Sequence, residues 1–506
     1  MSLATIQTRA SIGLQSPAVT VEIHLSNGLP QLTIVGLPET EVKESRDRVR
    51  SALLNAHFEF PTRRTTVNLA PADLPKQGSR FDLPIALGIL VASGQLPAEA
   101  VSEYEFVGEL ALSGALRPVQ GILPFALAAR KSRHPIIVPR ENADEAALAS
   151  NVTVLAADHI LDVCAHLIGR QKLQPHTLTN LPPQLPPRLD LAEVQGQAHA
   201  KRALEIAAAG QHNLLFIGPP GTGKTMLACC LPGILPELDE EEALTVATIA
   251  SASSQGFQLN RWRQRPFRTP HHTASSVALV GGGQPPRAGE ISLAHGGVLF
   301  LDELPEFKRS VLEALREPLE SHSITISRAA IQTQFPANFQ LIAAMNPCPC
   351  GYIGSPYQSC QCSEEKIKRY RSRLSGPLLD RIDMHIEVPV LPKGTFHATS
   401  VEESSAQVRI RVTQAWTLQQ QRHATLNSRL SGKMLRKACQ LTRAEHQFLD
   451  HAIDKLGLSG RAYHRILSVA RTIADLAGSE TVTTPHLTEA LSYRRLERYN
   501  TQNLVS

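Results

Sequence analysis

The stretch Gly218-Pro219-Pro220-Gly221-Thr222-Gly223-Lys224-Thr225 constrains the fold of this chain more than any other. It follows an apolar run at 213–217 and opens a helical pattern at Lys224. In that setting a glycine-rich turn offers backbone N–H groups and a helix N-terminus to phosphate, a lysine reaches the β and γ phosphates, and a hydroxyl ligates Mg2+. Strand, loop and helix in this order predict an α/β domain on a parallel sheet, with the eight loop residues binding nucleotide and Thr225 holding the metal.

A second apolar run, 297–301, ends in Asp302 and Glu303, and a third, 339–345, ends at Asn346. Continuous apolar strands are expected where helices cover both faces of a sheet, and ligands of such sheets sit at the carboxyl ends of the strands. Asp302 is therefore expected to hold Mg2+ through water and Glu303 to orient and deprotonate an attacking water, because phosphoryl transfer needs a placed nucleophile and neutralised charge. Asn346 can hydrogen-bond the γ-phosphate or that water, or serve as a turn residue. Together these groups predict ATP hydrolysis. Arg381, in Ser375-Gly-Pro-Leu-Leu-Asp-Arg-Ile-Asp383, and Arg461, in Ser459-Gly-Arg-Ala-Tyr463, are able to stabilise transition-state charge, although by spacing alone each reads as a surface arginine.

With 506 residues the chain has room for about three domains. Apolar residues at 42% and charged residues at 19% exclude wholesale disorder and fibrous repeats. The longest apolar stretch, 83–92, contains Pro84 and Gly88 and is too short to span a bilayer, and the N-terminus has no basic-then-apolar leader. A cytoplasmic chain with no membrane partner is expected. The net charge of +5 is compatible with a polyanion partner without requiring one.

Residues 1–172 alternate short strands at 19–25, 65–69 and 136–138 with helical stretches at 41–56 and 123–130. Residues 173–189 hold Pro175, Pro182, Pro183, Pro186 and Pro187 and read as an extended linker. Residues 190–395 carry the nucleotide motifs. Residues 396–506 are nearly free of strand signals, and Thr484-Pro485 reads as an N-cap followed by proline at the first helical position. The expected fold class is α/β, with an α+β domain first, a phosphate-loop domain second and a helical lid last.

Of eight cysteines, Cys348, Cys350, Cys360 and Cys362 crowd into one segment just after Asn346. Four soft ligands in two close pairs suffice for a closed tetrahedral Zn2+ site; the alternative is a set of reduced free thiols. Lys366, Lys368, Arg369, Arg371 and Arg373 follow the cluster, so a metal there would brace a loop joining Asn346 to the Arg381 segment. His271-His272 lack a third ligand at a fixed spacing and read as a structural hydrogen-bonding pair.

The loop, the Asp302-Glu303 strand, Asn346 and Leu378-Leu-Asp-Arg-Ile-Asp383 together resemble an AAA+ ATPase of the helix-2-insert group. More narrowly, Arg268-Thr-Pro-His-His-Thr273, Gly281-Gly-Gly283, Gly289-Glu-Ile-Ser-Leu-Ala-His295 and Met345-Asn-Pro-Cys-Pro-Cys-Gly351 resemble the magnesium-chelatase-like ComM/YifB family. The resemblance covers essentially the whole chain. It implies Arg381 as an arginine finger, Arg461 as the sensor arginine of the lid, a ring-shaped homohexamer, and an ATP-driven helicase that migrates branches in single-stranded or branched DNA during natural transformation, alongside recombination proteins.

Leu74-Pro-Lys-Gln-Gly-Ser-Arg-Phe-Asp82 and Gly108-Glu-Leu-Ala-Leu-Ser-Gly-Ala-Leu-Arg-Pro118 are similar to the proteolytic domain of Lon proteases. A Ser-Lys dyad needs a serine whose proton a nearby lysine can take. Arg80 stands where that resemblance places the serine, and the segment for the lysine reads Ile122-Leu123-Pro124-Phe125, so the dyad is absent; Ser79, one position away, is the alternative nucleophile, but no lysine follows it. Lys76 and Arg80 are then candidates for phosphate contact or a subunit interface, or are two solvated surface cations.

Two insertions separate the nucleotide motifs. One, 275–289, holds Gly281, Gly282, Gly283 and Arg287; the other, 323–339, alternates like a β-hairpin with Arg328 near its turn. In the group resembled they project into a central pore, where Arg328 and Arg287 would grip DNA phosphates without reading sequence; ordinary loop arginines are the alternative. Three functions stay open: a DNA motor, the motor subunit of a metal chelatase, and a protein-remodelling machine.

Overall fold

The apolar runs beside the nucleotide motifs fold into the middle of a parallel sheet. A computed structural model describes residues 3–494 apart from 180, 188, 284–285, 329–330 and 393–401 and the side chains of Arg328 and Ile331. The strand order is Phe267–Arg268, Val298–Leu301, Gln340–Met345, Leu214–Ile217 and Met384–Glu387, with every neighbouring pair parallel. The three central strands are buried at every position, which is why their sequences show no alternation. Ile217 pairs with Met345 and Leu301 with Ala343, so Gly218, Asn346 and Asp302 emerge along one carboxyl edge. Leu214 pairs with Met384, which puts Arg381, just ahead of Met384, at the opposite edge.

Residues before this sheet build a second, mixed one. Its order is Gln31–Val35, Arg64–Ala70, Ala18–Ser26, Leu3–Arg9, Glu105–Phe106, Ile136–Pro139 and Val154–Ala157. The helix Asp82–Ala92 packs on it and is buried at all positions. The longest apolar stretch of the sequence is thus a core helix, apolar all round because it is covered all round. The described residues of the proline-rich stretch 173–189 form neither helix nor strand and are tied to the units on both sides. Pro175 bridges to Leu155 at the sheet edge, and the Leu185 N–H donates to the Asn260 carbonyl at 3.3 Å.

The two sheets meet where helix Ile122–Ser132 faces helix Glu240–Ser251. The Gly121 N–H donates to the Ser251 carbonyl at 3.0 Å, and the Leu123 N–H to Ser251 Oγ at 3.3 Å. Glu145 lies in this seam. Burial pushes its carboxyl up to about 7, against the opposing pull of hydrogen bonds from Ser251 and Leu123. A carboxyl raised on folding binds its proton more tightly in the native state. Its stabilising contribution is complete below the unfolded value near 4.5 and is lost as the pH rises to about 7 and beyond. Glu145→Gln should therefore raise the melting temperature at pH 8 and change little at pH 4.5, with a stability gain of no more than about 3 kcal/mol. Thermal melts of both proteins at the two pH values check this.

The C-terminal helices Ser405–His423, Gly432–Cys439, Arg443–Leu456, Gly460–Leu476 and Thr484–Ser492 share a core with the helices of the parallel sheet, built on residues such as Leu204, Leu231, Val412 and Ile466. The last of them begins one residue earlier than its sequence suggests. Thr483 is the N-cap, because its backbone N–H and hydroxyl both meet His486 Nδ1 at 3.1 Å, and Thr484 enters the first turn. Among the described residues no helix is long and apolar enough to cross a membrane.

Candidate nucleotide site

Gly223 caps helix Lys224–Ile234 at φ +89, a backbone conformation that glycine adopts without strain. The first N–H groups of that helix have no intrahelical carbonyls and line the loop. Lys224 is buried within it. Its amine donates to the carbonyls of Gly218 at 2.7 Å and Pro219 at 2.8 Å, and to Asn346 Oδ1 at 3.2 Å. Burial lowers the pKa of this amine, and the Asp302 carboxylate partly opposes that. The charge is thus held among exchangeable acceptors where phosphate oxygens would take their place.

Thr225 Oγ1 donates to Asp302 Oδ2 at 2.7 Å, so the hydroxyl and the carboxylate expected to hold Mg2+ converge on one point. This donor set fits a hard cation. Glu303 adopts a left-handed backbone, φ +52 and ψ +46, and its N–H donates to Asp302 Oδ1 at 2.9 Å. A glutamate in that region is a local strain of the kind that collects at functional sites. Its carboxylate meets His272 Nδ1 at 3.2 Å, and the His272 ring lies against His271, tilted by 33° with ring centroids 4.2 Å apart. Sequence reasoning missed this partner of the candidate base. The available signal was position: His272 follows strand Phe267–Arg268, which pairs with the strand leading to Glu303. Arg268 makes a two-point ion pair with Glu290, at 2.6 and 2.7 Å. That pair joins the His-His segment to the end of the first insertion.

Arg381 stands apart from this group. Only 8% exposed, it pairs with Glu320 Oε1 at 2.5 Å and donates to the Pro377 carbonyl at 2.5 Å. Arg461 is exposed in the first turn of helix Gly460–Leu476. One turn on, Arg465 reaches Asp383 Oδ1 at 3.0 Å, and residues four apart share a helix face. The lid arginine therefore lies towards the Arg381 edge. Asp383 is 2% exposed; burial alone would raise its pKa, but the Arg465 charge and hydrogen bonds from His212 and the Asn213 N–H hold it down to about 2.

The second insertion is a hairpin, Ser323–Arg328 paired with Ile331–Pro336, with Ile324, Ile326 and Phe335 buried at its base. Arg328 takes the last paired position, opposite Ile331; its side chain is outside the described residues. Arg287 is exposed on the short ladder Gly281–Gly282 with Arg287–Ala288. A Cβ on Gly281 would stand 2.8 Å from Ile326 Cδ1, so the two insertions touch.

The cysteine cluster is assembled in space. The sulfur atoms of Cys348, Cys350, Cys360 and Cys362 all lie within 4.8 Å of one another. The Cys362 N–H also donates to Cys360 Sγ at 3.4 Å. Elsewhere, burial pushes the thiols of Cys164, Cys230 and Cys439 up to about 12.

In the N-terminal unit, Ser79 Oγ donates to the Glu109 carboxylate and Lys76 Nζ to the Pro71 carbonyl, so the two are not joined as a catalytic pair. Neither Lys76, fully buried, nor Arg80, 6% exposed, is a solvated surface cation. Arg80 donates to the Gln120 carbonyl, and burial lowers its pKa to about 10.

A phosphate-loop motif, an aspartate paired with its threonine, a glutamate and a strand-end asparagine on one edge of a parallel sheet, beneath helices that share its core, are the arrangement of an AAA+ ATPase. Family models for magnesium chelatase subunit ChlI match residues 190–396, those for subunit ChlI of Mg-chelatase match 21–142, and those for the ChlI C-terminal region match 402–494. The chain is 54% identical over 505 residues to competence protein ComM of Haemophilus influenzae, covering 98% of each. It is 52% identical over 499 residues to uncharacterized protein YifB of Escherichia coli, again covering 98% of each. A more distant match, 26% identical over 198 residues, is to DNA replication licensing factor mcm6 of Dictyostelium discoideum, covering 38% of this chain and 19% of that protein. The chain belongs to the ComM/YifB family of magnesium-chelatase-like AAA+ proteins, a membership that implies ATP hydrolysis with Mg2+.

Proposed function

We propose that this protein is an ATP-driven motor that works on single-stranded or branched DNA as a homohexameric ring and migrates branches when incoming DNA is recombined. Lys224 binds the β and γ phosphates, Thr225 and Asp302 hold Mg2+, Glu303 activates water, Asn346 senses the γ-phosphate, and Arg381 and Arg461 act from a neighbouring subunit. Zn2+ is held by the four clustered thiols. The observation that carries the reading is the pair of touching insertions placed between catalytic motifs, one carrying Arg287 and the other Arg328. The likeness to a competence protein and to a DNA replication licensing factor supports DNA as the substrate; recombination proteins are the partners such a motor would work beside. The ChlI match at 190–396 favours a second reading, a chelatase motor acting on a metal and a tetrapyrrole.

Forked DNA should stimulate ATP hydrolysis where porphyrin and unfolded protein do not. Binding should require ATP, ignore base sequence and fall steeply with salt, since phosphate contacts release counterions. Arg328→Glu should lose DNA stimulation and strand displacement while keeping most basal hydrolysis. Steady-state ATPase assays with each additive, and fork unwinding by the variant, decide this; equal unwinding by variant and parent would exclude the hairpin as the gripping element.

A further inference from the structure

The cysteine loop does more than stand near the nucleotide site. Asn346 receives the Lys224 amine, Pro347 follows it, and Cys348 is the next residue. Gly351 closes the first turn of the cluster, its N–H donating to the Cys348 carbonyl at 3.0 Å. Gly351 sits at φ +85, and a Cβ there would stand 2.7 Å from Pro220 Cδ, inside the phosphate loop, and 3.8 Å from Asn346 Cγ. On the other side, Arg371 donates to the Pro347 carbonyl at 3.3 and 3.4 Å, tying the same segment to helix Glu364–Arg371. The chain between the two thiol pairs, 351–359, has neither helix nor strand to fix it, and Cys348 alone of the four is buried.

We propose that a Zn2+ ion on Cys348, Cys350, Cys360 and Cys362 is a brace for nucleotide binding, pressing the Gly351 turn onto Pro220 and holding Asn346 against Lys224. The inference rests on the reading of this loop as an ATP site. Four thiols whose sulfurs all lie within 4.8 Å of one another supply the full ligand set of a closed tetrahedral site with no open position, so the ion is structural and takes no part in hydrolysis. Without it the four sulfurs repel as thiolates or drift apart as thiols, and the turn loses its seat on the loop. Because coupling between two ligands is reciprocal, nucleotide must also retain the metal.

The test uses the full chain purified without chelator. Elemental analysis should find close to one zinc per chain. Stripping it with a zinc-selective chelator that spares Mg2+ should weaken binding of a fluorescent ATP analogue about tenfold or more, with the helical circular dichroism retained, and added Zn2+ should restore it. ATP should slow zinc release to a chromogenic chelator, and Lys224→Ala should abolish that protection. Gly351→Ala should keep its zinc and yet bind the analogue about as weakly as the stripped protein. No zinc would overturn the site itself. Zinc present with analogue affinity unchanged on stripping, or an unchanged affinity in Gly351→Ala should stripping unfold the chain, would overturn the brace and leave the site standing. If the parent protein with its zinc binds no analogue at all, the ATP reading falls instead.

Discussion

Glu303→Gln should bind ATP as tightly as the parent and hydrolyse it at least about 100-fold more slowly, whereas Lys224→Ala should lose both binding and turnover. The two side chains occupy different parts of the same site. Lys224 lies buried in the loop on carbonyls that phosphate would replace, so its removal takes positive charge away from the β and γ phosphates in ground and transition state alike. Glu303 touches Asp302 only through its backbone N–H, and its carboxylate is free to meet water on one side and His272 on the other. Exchanging the acid for its amide preserves shape and removes the proton acceptor, a loss of order 100-fold to 10,000-fold for general base catalysis. Nucleotide titration and single-turnover hydrolysis separate the two outcomes. Normal turnover in Glu303→Gln would remove it from the catalytic role.

The nucleotide edge was legible because each of its parts is local. A loop motif, an apolar run ending in two acids and another ending in asparagine are each contiguous, and parallel pairing brings their carboxyl ends together by register. What the sequence did not disclose are contacts between distant residues. Nothing in the spacing of Glu320 and Arg381 announces their ion pair, and His272 reads as one of two adjacent histidines until strand pairing sets it beside Glu303. Lys76 and Arg80 misled for a related reason. Long cationic side chains are usually solvated, and only tertiary placement buries these two on the carbonyls of Pro71 and Gln120. The cysteines were easier, since two close pairs on a short loop need little chain to converge. At the last helix Thr483 and Thr484 are both capable caps, and composition does not choose between them.

Mixing Arg381→Ala with Glu303→Gln should restore ATPase activity that neither protein has alone. The phosphate loop leaves the carboxyl end of Leu214–Ile217, and Arg381 precedes the amino end of Met384–Glu387, the parallel neighbour of that strand. A strand of four residues puts about 13 Å between the two edges, with buried side chains in between. An arginine so placed serves a γ-phosphate only by reaching outward to another copy of the chain, and the pair with Glu320, whose side chain is 56% exposed, is the resting contact it would leave. In mixed rings some sites join an intact Glu303 from an Arg381→Ala protomer to an intact Arg381 from a Glu303→Gln protomer. Random assembly of equal parts makes about a quarter of the interfaces whole in this way, because a head-to-tail ring pairs unlike surfaces. Activity plotted against mixing ratio should therefore rise from near zero to a maximum near equal parts and fall again. A flat line, in preparations where native mass spectrometry finds mixed rings, would mean that Arg381 acts within its own chain or only holds Glu320.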